Sequence, residues 1–180
     1  MRYSFLHIIG LAGVVFVMPF SVFSQPFTDI AARVGVADAG PGRGVAWGDA
    51  DQDGDLDLYL VNSGQANRLF RNSGTTLDGD IALVAGIADN ASGFGAAWGD
   101  YDNDGDLDLY LARSGQTNRL YRNNGNGTFT NVAGSARVDD DGDGRGVAWA
   151  DYDNDGDLDL YLANSDEAIF VSNAPNRLYL

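Results

Sequence analysis

The sequence contains no cysteine and no lysine, and it has a single histidine, His7, and a single glutamate, Glu167, among 180 residues. Without cysteine the chain can form no disulfide, carry no lipid on a thiol and build no thiolate metal site. One histidine cannot supply a nitrogen-rich site for zinc or copper either. Because lysine and glutamate favour helices, their scarcity beside 24 glycines indicates short strands joined by tight turns.

The charge of the chain is strongly negative, with 26 acidic against 11 basic residues and a formal net charge of −15. Nearly all of the acidic residues are aspartate, and every basic residue is arginine. Nucleic-acid phosphates require a basic surface. We therefore expect no nucleic-acid partner.

One acidic stretch occurs three times, at residues 46–60, 97–111 and 148–162. Each copy reads Ala-Trp, one small residue, and then Asp-x-Asp-x-Asp-Gly-Asp-Leu-Asp-Leu-Tyr-Leu. The leading aspartates, Asp49, Asp100 and Asp151, are 51 residues apart in both intervals. This regular period indicates a repeat architecture.

The aspartates of each copy occupy positions 1, 3, 5, 7 and 9 of a loop whose position 6 is glycine. Two such charges 4 Å apart repel each other by about 1 kcal/mol even in water. The glycine permits a sharp turn that brings positions 1, 3 and 5 together with the carbonyl of position 7 and the carboxylate of position 9. Such an all-oxygen shell suits Ca²⁺ better than Mg²⁺. The alternative is a solvated acidic turn that binds nothing, which three copies in register make the weaker interpretation.

We therefore predict about three Ca²⁺ sites. Their candidate ligands are Asp49, Asp51, Asp53, Asp55, Asp57, Asp100, Asp102, Asp104, Asp106, Asp108, Asp151, Asp153, Asp155, Asp157 and Asp159.

The residues after each loop predict a strand rather than a helix. An EF-hand loop would need a glutamate at position 12 and flanking helices, but position 12 is Leu60, Leu111 or Leu162. Each repeat predicts four short strands: one ending at the tryptophan, one after the loop, one at Arg-Leu-aromatic, and one at 129–133, with a weaker relative at 82–87. Four antiparallel strands form a propeller blade, and we expect the three tryptophans to lie in the core or between blades.

The first 24 residues differ from the rest. Arg2 precedes an almost continuous apolar run from 6 to 20, followed by small residues, which predicts a signal peptide at 1–24. An uncleaved membrane anchor is the alternative, since the run approaches the length of a span. Residues 25–180 then form the repeat region, secreted, on the cell surface or in the periplasm.

The repeats resemble the FG-GAP/VCBS family, the calcium-loop blades of integrin α-subunits, in the variant that precedes ASPIC/UnbV domains. The similarity covers residues 27–180 and includes the Phe94-Gly95 pair. It implies an all-β fold, a partial β-propeller of about three four-stranded blades with a Ca²⁺-binding loop in each. It further implies that the position 7 aspartates bind through their carbonyls and the other four through their side chains.

Three repeats are fewer than the four to eight blades of closed propellers. There are three explanations for this low number. The chain is part of a longer protein that holds the remaining blades, it associates with another copy of itself, or it forms a short open stack. We expect a binding scaffold for an unknown protein or carbohydrate ligand. The alternatives are a part of an extracellular polysaccharide-acting enzyme and a calcium-dependent adhesin. No enzyme activity is expected, because the metal loops account for the well-placed aspartate pairs and the region after the signal has no His, Cys or Lys.

Overall fold

A computed structural model describes residues 26–165 and 175–180. The predicted signal peptide at 1–24 lies outside these residues. The chain divides into two units, Met1–Ile30 and Ala31–Leu180, and the helices and strands described here belong to the second. No helix among the described residues is long and apolar enough to cross a membrane.

The described residues form three antiparallel sheets, one for each repeat. The first contains β1 (Gly42–Gly48), β2 (Asp57–Asn62), β3 (Arg68–Asn72) and β4 (Leu77–Asp80). The second contains β5 (Gly93–Gly99), β6 (Asp108–Arg113), β7 (Arg119–Asn123) and β8 (Phe129–Asn131). The third contains β9 (Gly144–Ala150), β10 (Asp159–Asn164) and β11 (Arg177–Tyr179). The prediction of an all-β, partial propeller is therefore confirmed, with four strands in two sheets and three in the described part of the third.

The fourth strand of the first repeat was predicted at the wrong place. Residues 82–87, matched by their apolar character to 129–133, contain a short helix, α1 (Ala82–Ala85), and the second repeat has its counterpart α2 (Ala133–Ala136). Ala82 and Ala85 lie one helical turn apart and are both buried, and Gly86 ends the helix at φ 83°. The counterpart of Phe129 in the pairing with the third strand is Leu77 of β4, since Asn123 pairs with Phe129 and Asn72 with Leu77. The rest of β4 is too polar to resemble a strand.

The middle sheet is covered on both faces. Leu109, Tyr110 and Leu111 of β6 are all fully buried, whereas in β2 Tyr59 is buried and Leu58 and Leu60 are partly exposed. A strand that is enclosed on both sides loses the alternation between buried and exposed residues that a half-covered strand shows. The second sheet therefore lies between the other two.

The contact between successive sheets depends on glycine and tryptophan. A Cβ atom at Gly48 would lie 2.6 Å from the ring of Trp98, so only glycine allows this approach. The Trp98 Nε1 also donates a 3.4 Å hydrogen bond to the Ala46 carbonyl, and Trp149 donates to Ala97 in the same way at 3.3 Å. Both tryptophans are therefore inter-blade contacts, as predicted, while Trp47 is half exposed on the first blade.

Candidate metal centres

Each acidic loop connects the first two strands of its sheet. The loop of the first sheet joins β1 to β2, where Gly48 pairs with Asp57, and the same pairing recurs between Gly99 and Asp108. The hydrogen-bonded hairpin therefore holds both ends of the loop. This is the β-flanked arrangement that the sequence predicts.

The position 9 aspartates are buried at the point where each loop meets its following strand. The Asp108 side chain is fully buried and accepts hydrogen bonds from the Tyr101 N–H at 3.1 Å and the Asn123 N–H at 2.8 Å. Asp57 accepts two equivalent bonds, from the N–H groups of Ala50 and Asn72. One carboxylate thus connects the beginning of the loop to the end of the third strand.

The position 1 aspartates hold the turn itself. Asp49 accepts hydrogen bonds from the backbone N–H groups of Asp53 at 3.1 Å and Gly54 at 3.0 Å. Gly54 has φ 92°, a left-handed conformation for which glycine is suited. The same two bonds recur at Asp100 and at Asp151. The backbone therefore curls around the first carboxylate in all three copies.

Three acidic clusters result, one in each loop, and their ligand atoms lie within 4.8 Å of one another. They are Asp49, Asp51 and Asp53; Asp100, Asp102 and Asp108; and Asp151, Asp153 and Asp159. Two oxygens that bind one Ca²⁺ at 2.3–2.6 Å lie at most about 4.6–5.2 Å apart, so this spacing suits a shared ion.

The other six candidate ligands lie outside the clusters. They are Asp55, Asp57, Asp104, Asp106, Asp155 and Asp157. The position 7 side chains of the second and third loops accept hydrogen bonds from the preceding loop: Gln52 Nε2 donates to Asp106 Oδ1 at 2.8 Å, and Asn103 Nδ2 donates to Asp157 Oδ1 at 2.7 Å. The position 7 carboxylates are therefore engaged by the neighbouring loop. This agrees with the family resemblance, which implies that position 7 binds the metal through its backbone carbonyl.

The electrostatics of the acidic loops favour a cation. Burial raises the pKa of Asp108 to about 6, and the nearby Asp102 and Asp104 add to the shift. Burial and the neighbouring Asp104 and Asp100 also raise the pKa of Asp102. Burial raises the pKa of Asp57, with a contribution from Asp51 and Asp53. A bound cation would relieve this repulsion, and the oxygen donors of the loops fit Ca²⁺.

Comparison with known families agrees with this geometry. The FG-GAP-like repeat model matches the chain twice, at residues 49–111 and 100–162. The chain belongs to the FG-GAP-like repeat family. Each match begins at position 1 of one acidic loop and ends in the strand that follows the next loop.

Curated relatives match part of this chain. Cartilage acidic protein 1 of Homo sapiens is 34% identical over 94 residues, which are 52% of this chain and 14% of that protein. The Mus musculus protein of the same name is 33% identical over 126 residues, which are 62% of this chain and 19% of that protein. The chain therefore spans less than a fifth of the length of these curated relatives.

Residues outside the predicted ligand set also build the loops. Asn123 Nδ2 donates to the Ala50 carbonyl of the first loop at 2.9 Å and to the Leu107 carbonyl of the second at 3.2 Å. Gln52 and Asn103, at position 4, reach the following loop. Their recurrence at the 51-residue period was a visible signal, but the sequence does not indicate which repeat a polar side chain contacts.

Proposed function

We propose that this chain is an extracellular, calcium-stabilised repeat scaffold in which each acidic loop holds one Ca²⁺. One observation carries the proposal. Each of the three loops brings together three carboxylates whose oxygens lie within 4.8 Å of one another. Aspartates at positions 1 and 3 belong to every cluster. Position 5 completes the first cluster, and position 9 completes the other two.

Calcium in these loops would supply positive charge between clustered carboxylates. Asp49, Asp100 and Asp151 would bind the ion while ordering the turn through their backbone hydrogen bonds. Asp108 and Asp159 would bind it from the strand side, because each lies at the start of the strand that follows its loop. The ion would thereby join the loop to the sheet.

An extracellular location is part of the proposal. It is supported by the predicted signal peptide at 1–24 and is compatible with relatives whose shared name refers to cartilage, a tissue rich in extracellular matrix. Extracellular calcium would keep loops of this kind filled. The scaffold would present its blades to a protein or carbohydrate ligand, and no catalytic role is proposed.

The test is a calorimetric calcium titration of chelator-stripped protein, together with thermal unfolding in calcium and in chelator. We expect a stoichiometry near three. Where free calcium is tenfold above Kd, each site adds about 1.4 kcal/mol to the free energy of unfolding, or about 4 kcal/mol for three sites. A titration without heat and an unfolding curve unchanged by chelator would refute the assignment.

A further inference from the structure

We infer that neighbouring loops bind calcium with positive cooperativity, and that Gln52 and Asn103 are the positioning residues that couple them. The inference rests on the calcium-binding function proposed above. It concerns the way in which one loop affects the next, which neither the family match nor the three separate clusters address.

The first link runs from loop one to loop two. Gln52 Nε2 lies 2.6 Å from the Gly105 carbonyl and 2.8 Å from Asp106 Oδ1. These two acceptors occupy positions 6 and 7 of the second loop, which form its sharp turn. The Gln52 side chain therefore holds the turn at Gly105 and Asp106 in place. The conformation of this turn determines the position of the Asp106 carbonyl.

The same link is repeated one blade further along. Asn103 Nδ2, at position 4 of the second loop, donates to Asp157 Oδ1 of the third loop at 2.7 Å. The side chains differ in length, yet both reach the position 7 carboxylate of the next loop. Because the contact forms with both glutamine and asparagine, it depends on the way successive blades pack and not on one particular side chain.

The backbone at position 4 orients these side chains. Gln52 and Asn103 have φ angles of 60° and 56°. Non-glycine residues rarely adopt this left-handed conformation. The conformation depends on the curl of the loop, because it lies directly between the carboxylates at positions 3 and 5. Ordering of those carboxylates around an ion would therefore also fix the direction of the position 4 amide.

A buried contact reinforces the connection between the first two loops. Asn123 Nδ2 donates to carbonyls of both loops, at Ala50 and at Leu107. Asn72, the equivalent residue one repeat earlier, donates to Leu56 of its own loop. The Asn123 amide thus joins the second loop to the loop of the preceding blade, whereas the hydrogen bond of the Asn72 amide stays within the first blade.

The sign of the coupling follows from these contacts. An ion in the first loop orders Gln52, which in turn holds Gly105 and Asp106 in the second loop. The second ion then meets a loop whose ordering has already been partly achieved, so it binds more tightly. The net contribution of one exposed hydrogen bond of this kind corresponds to about a three- to tenfold change in affinity.

The chain offers a matched control for the test. Asn154 occupies position 4 of the third loop with φ 61°, and within the described residues its amide donates to no further loop. The variants Gln52→Gly and Asn154→Gly both remove a position 4 side chain while permitting the left-handed backbone. Only the first removes an inter-loop contact.

The experiment measures the affinity of the second loop in the full chain. Tyr101 and Tyr152 stand at position 2 of the second and third loops, where the first loop has Ala50. The part of the sensitised terbium emission that Tyr101→Phe removes is therefore taken as the signal of the second loop. All variants carry Asp153→Asn to disable the third loop, and calcium affinity is read from competition with terbium. Asp51→Asn then disables the first loop.

We expect Gln52→Gly to weaken calcium binding at the second loop about three- to tenfold, with no change for Asn154→Gly. Asp51→Asn should weaken it similarly, and adding Gln52→Gly to Asp51→Asn should have no further effect. Binding that is unchanged by Gln52→Gly, or tightened by Asp51→Asn, would overturn the coupling. Absence of calcium and terbium binding in the unmutated chain would instead overturn the proposed function and the coupling with it.

Discussion

The replacement Asp108→Asn separates the two roles assigned to a position 9 carboxylate. Asp108 is fully buried, belongs to the acidic cluster of the second loop, and accepts backbone hydrogen bonds from Tyr101 and Asn123. Asparagine has nearly the same shape but offers one acceptor oxygen and an NH₂ donor. One backbone N–H would therefore face another donor in a buried position.

The expected magnitude has two parts. A buried donor left without an acceptor costs about 1–3 kcal/mol in the free energy of unfolding, with or without metal. Loss of the ion from this loop adds about 1.4 kcal/mol at tenfold calcium excess. In calcium the variant should therefore be destabilised by about 2–4 kcal/mol. In chelator it should be destabilised by about 1–3 kcal/mol at pH 5, where the carboxyl of Asp108 is protonated in the folded protein and its replacement relieves no buried charge. For a domain of this size about 2–4 °C of melting temperature corresponds to each kcal/mol.

The matched variant is Asp104→Asn at position 5 of the same loop. Asp104 is exposed and accepts one hydrogen bond, from the Asp106 N–H at 2.9 Å. Its replacement should lower the melting temperature in calcium and leave it nearly unchanged in chelator. Both variants are compared with the unmutated chain by calorimetric unfolding in the two conditions.

The reasoning fails if Asp108→Asn unfolds like the unmutated chain in chelator at pH 5. Such a result would mean that the buried carboxylate does not support the sheet and acts on the metal alone. It fails equally if Asp104→Asn destabilises the protein as strongly in chelator as in calcium.

Three further predictions concern pH, blade contact and surface charge. Because the pKa of Asp108 is raised to about 6, calcium must displace a proton there below that pH, so calorimetry should show weaker binding at pH 5 than at pH 7.5. The folded metal-free protein holds this proton more tightly than the unfolded chain, so the contribution of Asp108 to its stability should fall as pH rises from about 4 to 6 in chelator melts. Gly48→Ala should cost about 1–3 kcal/mol in denaturant unfolding because its Cβ meets the Trp98 ring, whereas Gly79→Ala, with open space around it, should cost less than about 1 kcal/mol. Arg71→Ala removes an exposed 3.0 Å ion pair with Asp78 and should leave the denaturant midpoint of unfolding nearly unchanged in the same assay.

The loops and the strands around them were predictable because they depend on local chemistry. Alternate aspartates with a glycine at position 6, followed by Leu-Asp-Leu-Tyr-Leu, define both the turn and the strand after it. The 51-residue period then indicates that the unit is repeated. The contacts of Trp98 and Trp149 also followed, since a large apolar residue at a fixed place in every repeat usually packs against its neighbours. For Trp47 the same expectation was wrong, because its side chain is half exposed.

The fourth strand and the inter-loop contacts were not predictable in the same way. β4 contains Leu77 and three polar or small residues, so its strand conformation depends on pairing with β3 rather than on propensity. The contact between Gln52 and Asp106 joins residues 54 positions apart. Only the packing of two blades brings such exposed polar side chains together.

The enclosure of the middle sheet has a consequence for how the repeats tolerate change. Leu58 and Leu109 stand at the same place in neighbouring copies, yet the first is partly accessible to solvent and the second is fully buried. A substitution to alanine should therefore be far more harmful at Leu109 than at Leu58. Amide protons of β6 should likewise exchange with deuterated water more slowly than those of β2, so that repeats nearly identical in sequence differ in local stability.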